Sequence, residues 1–429
     1  MAPWILPSLS QVAAQLHLPD QGAPWAPHWD QAIAAAPAEA PNWLSQSAIA
    51  DACRAASLDE SMTAAALAMG KRIENDPALR TLLWYYHYRL YLAVPYVFES
   101  DWPLLTEALG DEAGMFQVSV ALSATPHVLE NHRQRGISPE VTRDTLSDVA
   151  FCLKTEDYTA EHGRWGLSIR ILSWLSNHYR GQCYRLGRLQ FVHSPFADAL
   201  RAYRHRRDGT VVALSEAGVR YRADGQYDGA GGVCDSQGGW TSELTETAGG
   251  IEGSPIHPVG YAVRRQIRLA ADQWAPALVR GDGVLDMHIP AGSPMDCDAC
   301  MQSLRQAREF FPRHFPDKPF VGFDCRSWLM DGQFDTLLPA TSNLVRVQRQ
   351  MYLFPFPGQT SWVMGVVFGL KGASTRNFTL AELPRQTGMQ RAFAAHLERG
   401  GHFRAGGGFL LVDDLDKGPD VYRRQKLPW

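Results

Sequence analysis

The spacing of hydrophobic residues changes character near residue 183. Before this point, apolar residues recur at helical intervals, as at Leu82, Tyr86 and Leu90. An i, i+4 repeat places side chains on one face of a helix. Ser138 and Pro139 also mark a helix start, because serine caps a helix and proline suits its first turn. Residues 1 to about 180 are therefore predicted to be mostly helical.

Beyond residue 183, short strand-like runs alternate with turn residues. Strands are predicted at 186–193, 210–214, 219–222, 284–290, 320–328, 344–354, 361–368 and 409–412. Helices are predicted at 261–275, 296–311, 333–338 and 387–399, and the glycine-rich stretch 226–258 is predicted to be a loop. The sequence thus predicts an α+β protein, in which a helical N-terminal domain precedes a mixed β-sheet flanked by helices.

The strand predicted at 284–290 ends in a small-residue turn that opens a helix. The free backbone N–H groups at a helix start can hold an anion. Ser293 and Asp296 have the spacing of a capping box with Asp in place of Glu, and Pro294 suits the first helical position. This arrangement predicts a site for a pyrophosphate at the turn.

Three side chains on the strands at 284–290 and 320–328 are candidates for chemistry. His288 is either a general base near neutral pH or a core histidine bonded to backbone. Cys325 is either a nucleophile or a small buried hydrophobe. Ser327 is either a proton donor to a leaving thiolate or a serine hydrogen-bonded within its strand. Alternation along the second strand puts Cys325 and Ser327 on one face and Asp324 on the other.

The amino-acid composition indicates which classes of binding partner are expected. The 429 residues carry a formal net charge of −4, which argues against a protein built to bind nucleic acid or an acidic membrane surface. A small molecule is the expected partner. Seven scattered cysteines indicate reduced thiols, and the first residues lack the basic region of a signal peptide, so a cytoplasmic location without membrane spans is predicted. Cys297 and Cys300 have CxxC spacing without a second ligand pair, so no metal site is predicted.

Several segments resemble a bacterial family of acyltransferases that pairs a helical N-acyltransferase N-terminal domain with a GNAT-like C-terminal domain. The segments that carry the resemblance are 224–232, 255–258, His288-Ile289-Pro290, 302–307, 310–316 and 325–331. The resemblance implies a helical domain over residues 1–145 and a GNAT-like acyltransferase domain over residues 146–429.

The resemblance further implies transfer of an acyl group from acetyl-CoA or another acyl-CoA to an amine of a small-molecule acceptor. The pantetheine arm would lie between two splayed strands, with the pyrophosphate at the following helix. The residues implied to bind the co-substrate are Met287, Ile289, Ala291, Gly292, Ser293 and Asp296. His288, or a water that it holds, would take the amine proton, and Ser327 or Tyr352 would protonate the thiolate. The turn lacks the full R/Q-x-x-G-x-G/A loop of the wider GNAT pattern.

Two alternatives to this activity stay open at the level of sequence. In the first alternative, Cys325 would serve as a covalent acyl carrier or as a hydrolase nucleophile. The second is a non-catalytic protein that binds a carbohydrate or another partner on a GNAT scaffold, because a fold alone does not establish a function.

Overall fold

The structure is a computed structural model that describes residues 4, 6–18, 28–93, 102, 105–155, 159, 162–290, 292–358, 361–370 and 377–429. The chain divides into two compact units, Met1–Leu186 and Gly187–Trp429. The domain boundary expected between residues 145 and 146 rests on the resemblance and stays a prediction. No helix within the described ranges has the length and apolar character needed to cross a membrane.

The first unit is helical, as predicted, and ends in one strand. Its α-helices are α1 Leu9–Gln15, α2 Trp29–Ala34, α3 Gln46–Ala55, α4 Glu60–Asn75, α5 Pro77–His87, α6 Thr106–Leu109, α7 Ala113–Ser123, α8 Thr125–Gln134, α9 Pro139–Leu146, α10 Asp148–Thr155 and α11 Ile169–Tyr179. A π-helical turn, Tyr88–Leu92, continues α5, and β1 spans Cys183–Leu186. The Asp76 side chain caps α5, and every residue of α5 from Ala78 to His87 is buried. Helix α5 is therefore part of the core of this unit.

The second unit contains most of the strands. These are β2 Leu189–Pro195, β3 Leu200–His205, β4 Val211–Ser215, β5 Arg220–Tyr221, β6 Trp240–Thr241, β7 Leu244–Thr247, β8 Gly250–Gly253, β9 Pro255–His257, β10 Tyr261–Ala262, β11 Ile267–Ala270, β12 Trp274–Leu278, β13 Gly283–His288, β14 Gly322–Ser327, β15 Tyr352–Phe356 and β16 Ala405–Leu411. Its α-helices are α12 Cys297–His314, α13 Phe334–Leu337, α14 Asn343–Gln348, α15 Ser361–Phe368 and α16 Gly388–Glu398.

The main sheet of the second unit has the strand order β2, β13, β14, β16, β15. Strands β13 and β14 are parallel, and the neighbouring pairs β2–β13, β14–β16 and β16–β15 are antiparallel. The sheet is mixed, as predicted. Pro195 at the end of β2 pairs with Gly283 at the start of β13. The residues between these two positions form an insertion that contains three smaller sheets. Their strand orders are β10-β9-β4-β3-β12, β11-β8-β7 and β5-β6.

Several predicted elements of the second unit are wrong. The helix predicted at 261–275 is replaced by strands, since Ile267 and Leu269 are buried around the exposed Arg268, which is the two-residue period of a strand. The strand predicted at 361–368 is helix α15, because a short apolar run fits a buried helix as well as a strand. The strand predicted at 344–354 divides into α14 and β15, and the loop predicted at 226–258 contains β6 to β9.

Aromatic packing shows which face of the main sheet α12 covers. The ring of Phe311 on α12 lies 6.3 Å from Phe320, which lies 5.8 Å from Phe323 on β14. Phe323 in turn lies 6.0 Å from Phe191 on β2. These apolar side chains bury one face of β2, β13 and β14 beneath the helix, and burial of this kind is the main stabilising contribution to such a layer.

Three consecutive glycines in β16 allow close packing around the strand. A Cβ atom on Gly406 would clash with the Met330 carbonyl oxygen, and one on Gly407 would clash with the Phe354 ring. Because the obstacle at Gly406 is backbone, it cannot move aside as the end of a flexible side chain would.

We expect Gly406→Ala to lower the free energy of unfolding by about 1–3 kcal/mol, the usual cost of overpacking a core. Urea unfolding of the whole chain measures this change. Gly388→Ala is the matched control, because its Cβ meets only the tip of Arg391 at 4.0 Å and alanine favours the helix that begins there. Equal stability of the two variants would show that the glycine in β16 is dispensable.

Candidate active site

The parallel pairing of β13 and β14 ends before either strand does. The paired positions are Val284 with Gly322, Leu285 with Phe323, and Asp286 with Asp324. Strand β13 nevertheless continues to His288 against β2, and β14 continues to Ser327 against β16. The two strands are no longer paired with each other beyond Asp286 and Asp324, so a gap opens in the centre of the sheet. We call this feature the strand gap.

The sheet register assigns the candidate side chains to two faces. Asp286 lies beside Asp324, and the two-residue period puts His288 and Arg326 on that same face. Leu285 and Phe323 lie beside each other on the other face, which α12 covers, and Cys325 and Ser327 follow Phe323 at alternate positions along β14. The predicted separation of Cys325 and Ser327 from Asp324 is therefore confirmed.

On the His288 side of the sheet, one guanidinium contacts two carboxyl groups and is influenced by the charge of a third, Asp198. We call Asp198, Asp286 and Asp324, with Arg326, the carboxylate cluster. Arg326 Nη2 donates a hydrogen bond to Asp286 Oδ2 at 3.0 Å, and the same nitrogen lies 3.4 Å from Asp324 Oδ2. His288 Nε2 lies 3.4 Å from Asp286 Oδ2. Asp286 thus contacts both the imidazole and the guanidinium.

The carboxyl groups of the cluster differ in their electrostatic state. Burial and the nearby charge of Asp286 raise the pKa of Asp324 to about 7, and burial raises the pKa of Asp198 to about 6. Burial also acts to raise the pKa of Asp286, but the hydrogen bond with His288 and the charge of Arg326 outweigh it and lower the pKa. Asp286 is therefore the carboxylate of the cluster that is stabilised in its charged form.

The imidazole of His288 can act as a base because of its contact with Asp286. If Nε2 carries the proton that faces the carboxylate, Nδ1 is the nitrogen that accepts a proton, and the carboxylate then stabilises the imidazolium. About 35% of the His288 side chain is exposed, against 20% for Asp286, so both are within reach of a ligand.

On the α12 face, the surroundings of Cys325 favour a structural role. Its residue is only 2% exposed, and burial, together with the charges of Asp286 and Asp324, raises the pKa of its thiol well above the ordinary value. A thiol in this state is protonated at neutral pH and is a poor nucleophile. Ser327 ends β14, where its hydroxyl accepts a hydrogen bond from the Leu329 N–H at 3.2 Å.

Tyr352 lies two strands away from β14, beyond β16. Its ring stacks on Phe409 at 4.8 Å, and its hydroxyl donates to the Ile256 carbonyl and accepts from the Ala213 N–H. The residue is fully buried, and burial raises its pKa. The structure therefore does not bring Tyr352 to the strand gap, and its contacts are those of a core tyrosine.

The turn after β13 differs from the predicted capping arrangement. Helix α12 begins at Cys297 with Asp296 as its cap, and the Asp296 carboxylate accepts from the Ala299 N–H at 2.9 Å. The prediction that Ser293 caps the helix with Pro294 inside it is wrong, because the aspartate satisfies the first turn three residues later. Met287 lies in β13, and Ile289 directly follows the end of this strand. Ala291 lies outside the described residues.

Two features make the turn at Gly292 and Ser293 accessible to a ligand. Gly292 has φ +86°, a left-handed conformation that favours glycine, and both residues are exposed. Arg188 fixes the turn by donating to the Ser293 and Pro294 carbonyl oxygens at 2.8 and 2.9 Å. A cation is therefore held at the turn where an anion was predicted to bind.

A cleft of about 860 Å³ begins at the first turn of α12. Cys297 and Asp298 line it at the helix start. Its lining contains three arginines and three aspartates, namely Arg305, Arg346, Arg349, Asp298, Asp416 and Asp420. Its size lies within the range of small-molecule sites. In the described part of the chain, no group of three or more His, Cys, Asp or Glu side chains is placed to hold a metal ion.

Comparison with known protein families shows the family to which the chain belongs. The family described as GNAT-like C-terminal domain matches residues 183–410, and the family described as N-acyltransferase N-terminal domain matches residues 47–181. The chain belongs to the GNAT-like C-terminal domain family. The predicted resemblance, the α+β class and the prediction of an acyltransferase are confirmed.

Solved structures share the fold of this GNAT-like chain. A crystal structure of an acyltransferase in complex with decanoyl-CoA and teicoplanin is 24% identical, covers 94% of this chain and 99% of that chain, and has a TM-score of 0.62. A mutant acyltransferase in complex with octanoyl-CoA is 23% identical, with coverage of 94% and 98% and a TM-score of 0.61. No match is found among curated proteins.

Sequence reasoning gave no role to four residues of this candidate site, namely Asp198, Asp286, Asp324 and Arg326. A signal for three of them was present, because Asp286 and His288 on one buried strand, and Asp324 and Arg326 on the next, repeat charge at every second position. Charged residues are rarely buried unless they are paired. Asp198 lies in the connection between β2 and β3, and no pattern in the sequence connects it with the strand gap.

We expect Asp324→Asn to raise the free energy of unfolding at pH 8 and to have less effect at pH 5. The pKa of Asp324 in the folded chain, about 7, lies above that of an unfolded aspartate, so the native chain loses stability as pH rises from about 4 to about 7. Asparagine stays neutral throughout, and the gain at pH 8 should reach roughly 2–4 kcal/mol. Urea unfolding at the two pH values measures it.

Asp416→Asn is the control for this prediction. Its carboxylate is exposed and paired with Arg305 and Arg308, and these hydrogen bonds lower its pKa. Removing this charge should not stabilise the chain at pH 8. A loss of stability in Asp324→Asn at pH 8 would show that the buried carboxyl is a favourable partner of Arg326.

Proposed function

We propose that this protein is an N-acyltransferase that moves an acyl group from an acyl-CoA to an amine of a small-molecule acceptor. The observation that carries the proposal is the strand gap: β13 and β14 lose their parallel pairing at Asp286 and Asp324 inside a GNAT-like domain. Backbone N–H and C=O groups that are not used by a neighbouring strand can bind an extended ligand. The pantetheine arm of CoA has the length and amide groups to use them.

The two substrates approach the strand gap from opposite faces of the sheet. The co-substrate enters from the α12 face, where the Gly292–Ser293 turn receives the pyrophosphate and the cleft beside α12 gives it room. The acceptor amine meets the thioester from the other face, where His288 and Asp286 lie. The structures bound to decanoyl-CoA and to octanoyl-CoA support an acyl-CoA as the co-substrate. The complex with teicoplanin supports a small-molecule acceptor.

The reaction proceeds by direct attack. The amine nitrogen forms a bond to the thioester carbonyl carbon, and His288 takes one proton from the nitrogen. Backbone near Met287 to Ile289 polarises the carbonyl oxygen as negative charge develops on it. The C–S bond then breaks, and the leaving thiolate takes a proton from Ser327, on the face from which CoA enters. Ser327 regains that proton from solvent, and His288 releases to solvent the proton that it took from the nitrogen. The products are an amide and free CoA.

His288→Ala should lower kcat at least about tenfold, the smallest effect expected from loss of a general base. Steady-state assays with acetyl-CoA and a panel of primary amines measure the rate, and isothermal titration measures CoA binding. CoA affinity should be unchanged, because His288 lies on the acceptor side of the sheet. His205→Ala is the control, since His205 is paired with Asp208 at the end of β3. Unchanged turnover in His288→Ala would remove this residue from the mechanism.

Two variants that differ only in charge test whether the Gly292–Ser293 turn binds the pyrophosphate. Ser293→Asp should raise the Kd for CoA about tenfold or more, because a carboxylate at this position repels the pyrophosphate. Ser293→Asn adds a side chain of the same shape without the charge and should bind CoA nearly as the native chain does. Equal affinity of the two variants would place the pyrophosphate elsewhere, and absence of CoA binding in the native chain would contradict the proposed function.

A further inference from the structure

The carboxylate cluster has fewer positive groups than negative ones. Asp286 and Asp324 contact the single guanidinium of Arg326, and the charge of Asp198 acts on it as well. The three carboxyl groups come from the β2–β3 connection, from β13 and from β14, and the neighbouring position of β16 beside Arg326 is Gly407, which carries no charge. The positive charge of one arginine cannot neutralise three carboxylates. Burial raises the pKa of Asp198 to about 6 and that of Asp324 to about 7, so both carboxyl groups keep a proton to a higher pH than an ordinary aspartate does.

Asp324 provides a second and independent observation. The residue is fully buried, and neither carboxyl oxygen has a hydrogen-bond partner among the described residues. The 3.4 Å contact with Arg326 is an ion pair that lacks hydrogen-bond geometry, whereas the 3.0 Å contact of the same nitrogen with Asp286 has it. Buried polar atoms without partners are rare in native proteins. A small rotation of the Arg326 guanidinium would exchange one carboxylate for the other.

Access to the cluster differs between the two carboxylates. The Asp286 side chain is 20% exposed, whereas the Asp324 side chain is 1% exposed. A cation that arrives from solvent therefore reaches Asp286 first, and it approaches His288 at the same time.

We propose, on the basis of the proposed function, that the acceptor binds as a primary ammonium ion on Asp286, and that Asp324 is the positioning residue that receives Arg326 when it does. The ammonium replaces the Arg326 hydrogen bond to Asp286 and repels the guanidinium toward Asp324. The unsatisfied oxygens of Asp324 then accept hydrogen bonds, so the free energy lost at Asp286 is recovered at Asp324.

This exchange selects amines over alcohols. An ammonium ion satisfies Asp286 with charge and hydrogen bonds, and a neutral hydroxyl cannot displace a guanidinium from it. Once bound, the ammonium passes one proton through His288 to solvent and becomes the neutral amine that attacks the thioester. As the C–N bond forms, His288 takes the second proton from the nitrogen. The C–S bond then breaks, and the thiolate takes a proton from Ser327.

The exchange is measured by 13C NMR titration of the full chain with labelled aspartate carboxyl carbons. The Asp324 signal is assigned by its loss in Asp324→Asn. Ethylammonium chloride should lower the titration midpoint of Asp324 by about one pH unit or more, because a hydrogen-bonded guanidinium favours the carboxylate. Tetramethylammonium chloride at the same concentration should have no effect, since it carries the charge without an N–H donor.

Asp286→Asn is the decisive variant, because it should abolish the response of Asp324 to ethylammonium while the chain stays folded. Persistence of the response in Asp286→Asn would overturn the proposal. An equal shift with both salts, or no shift with either, would also overturn it. CoA titration of the same samples separates this proposal from the proposed function: CoA binding without the ammonium response contradicts only the exchange, and an ammonium response without CoA binding contradicts only acyl transfer from CoA.

Discussion

The loss of pairing between β13 and β14 is the constraint on which the rest of the site depends. A parallel pair buried in a sheet normally uses all its backbone groups, and leaving such groups without partners is costly. Here the pairing stops at Asp286 and Asp324, while β2 and β16 continue to hold the outer edges of the two strands. The gap therefore has a strand on each side, and an extended ligand can lie between β13 and β14.

The same gap explains why charged side chains occupy the centre of a buried sheet. Asp286 and Asp324 are neighbours in register, and two adjacent carboxylates repel each other unless a cation lies between them. Arg326 provides that cation, with only one of its two carboxylate contacts as a hydrogen bond. The cluster is thus incompletely paired in the ligand-free chain, which is an arrangement expected of a site rather than of a core built for stability.

The sequence was sufficient for the elements that frame the strand gap and for one part of the site. The strands predicted at 284–290 and 320–328 and the helix predicted at 296–311 correspond to β13, β14 and α12, because each has a clear period. The cap of α12 was misplaced because Ser293 and Asp296 have equally suitable side chains, and only the folded turn decides between them. Burial, which disfavours Cys325 as a nucleophile, is a property of packing that no local pattern contains.

The carboxylate cluster could not be predicted from the sequence for a different reason. Asp198 is far from Asp324 in sequence, and their interaction depends on the insertion between β2 and β13, which returns the chain to the same sheet. Several strands of that insertion are only two to four residues long and carry many glycines, so their periodicity is too short to read. Non-local contacts of this kind follow from topology, and topology was visible only in the structure.

Hydrogen–deuterium exchange at the end of β13 tests the strand gap most directly. If the pantetheine arm pairs with the backbone there, adding CoA will slow amide exchange in the peptide that contains Met287 to Ile289, and the effect will be larger than in β2 or β16. Unchanged exchange at this peptide in a chain saturated with CoA would contradict binding in the gap.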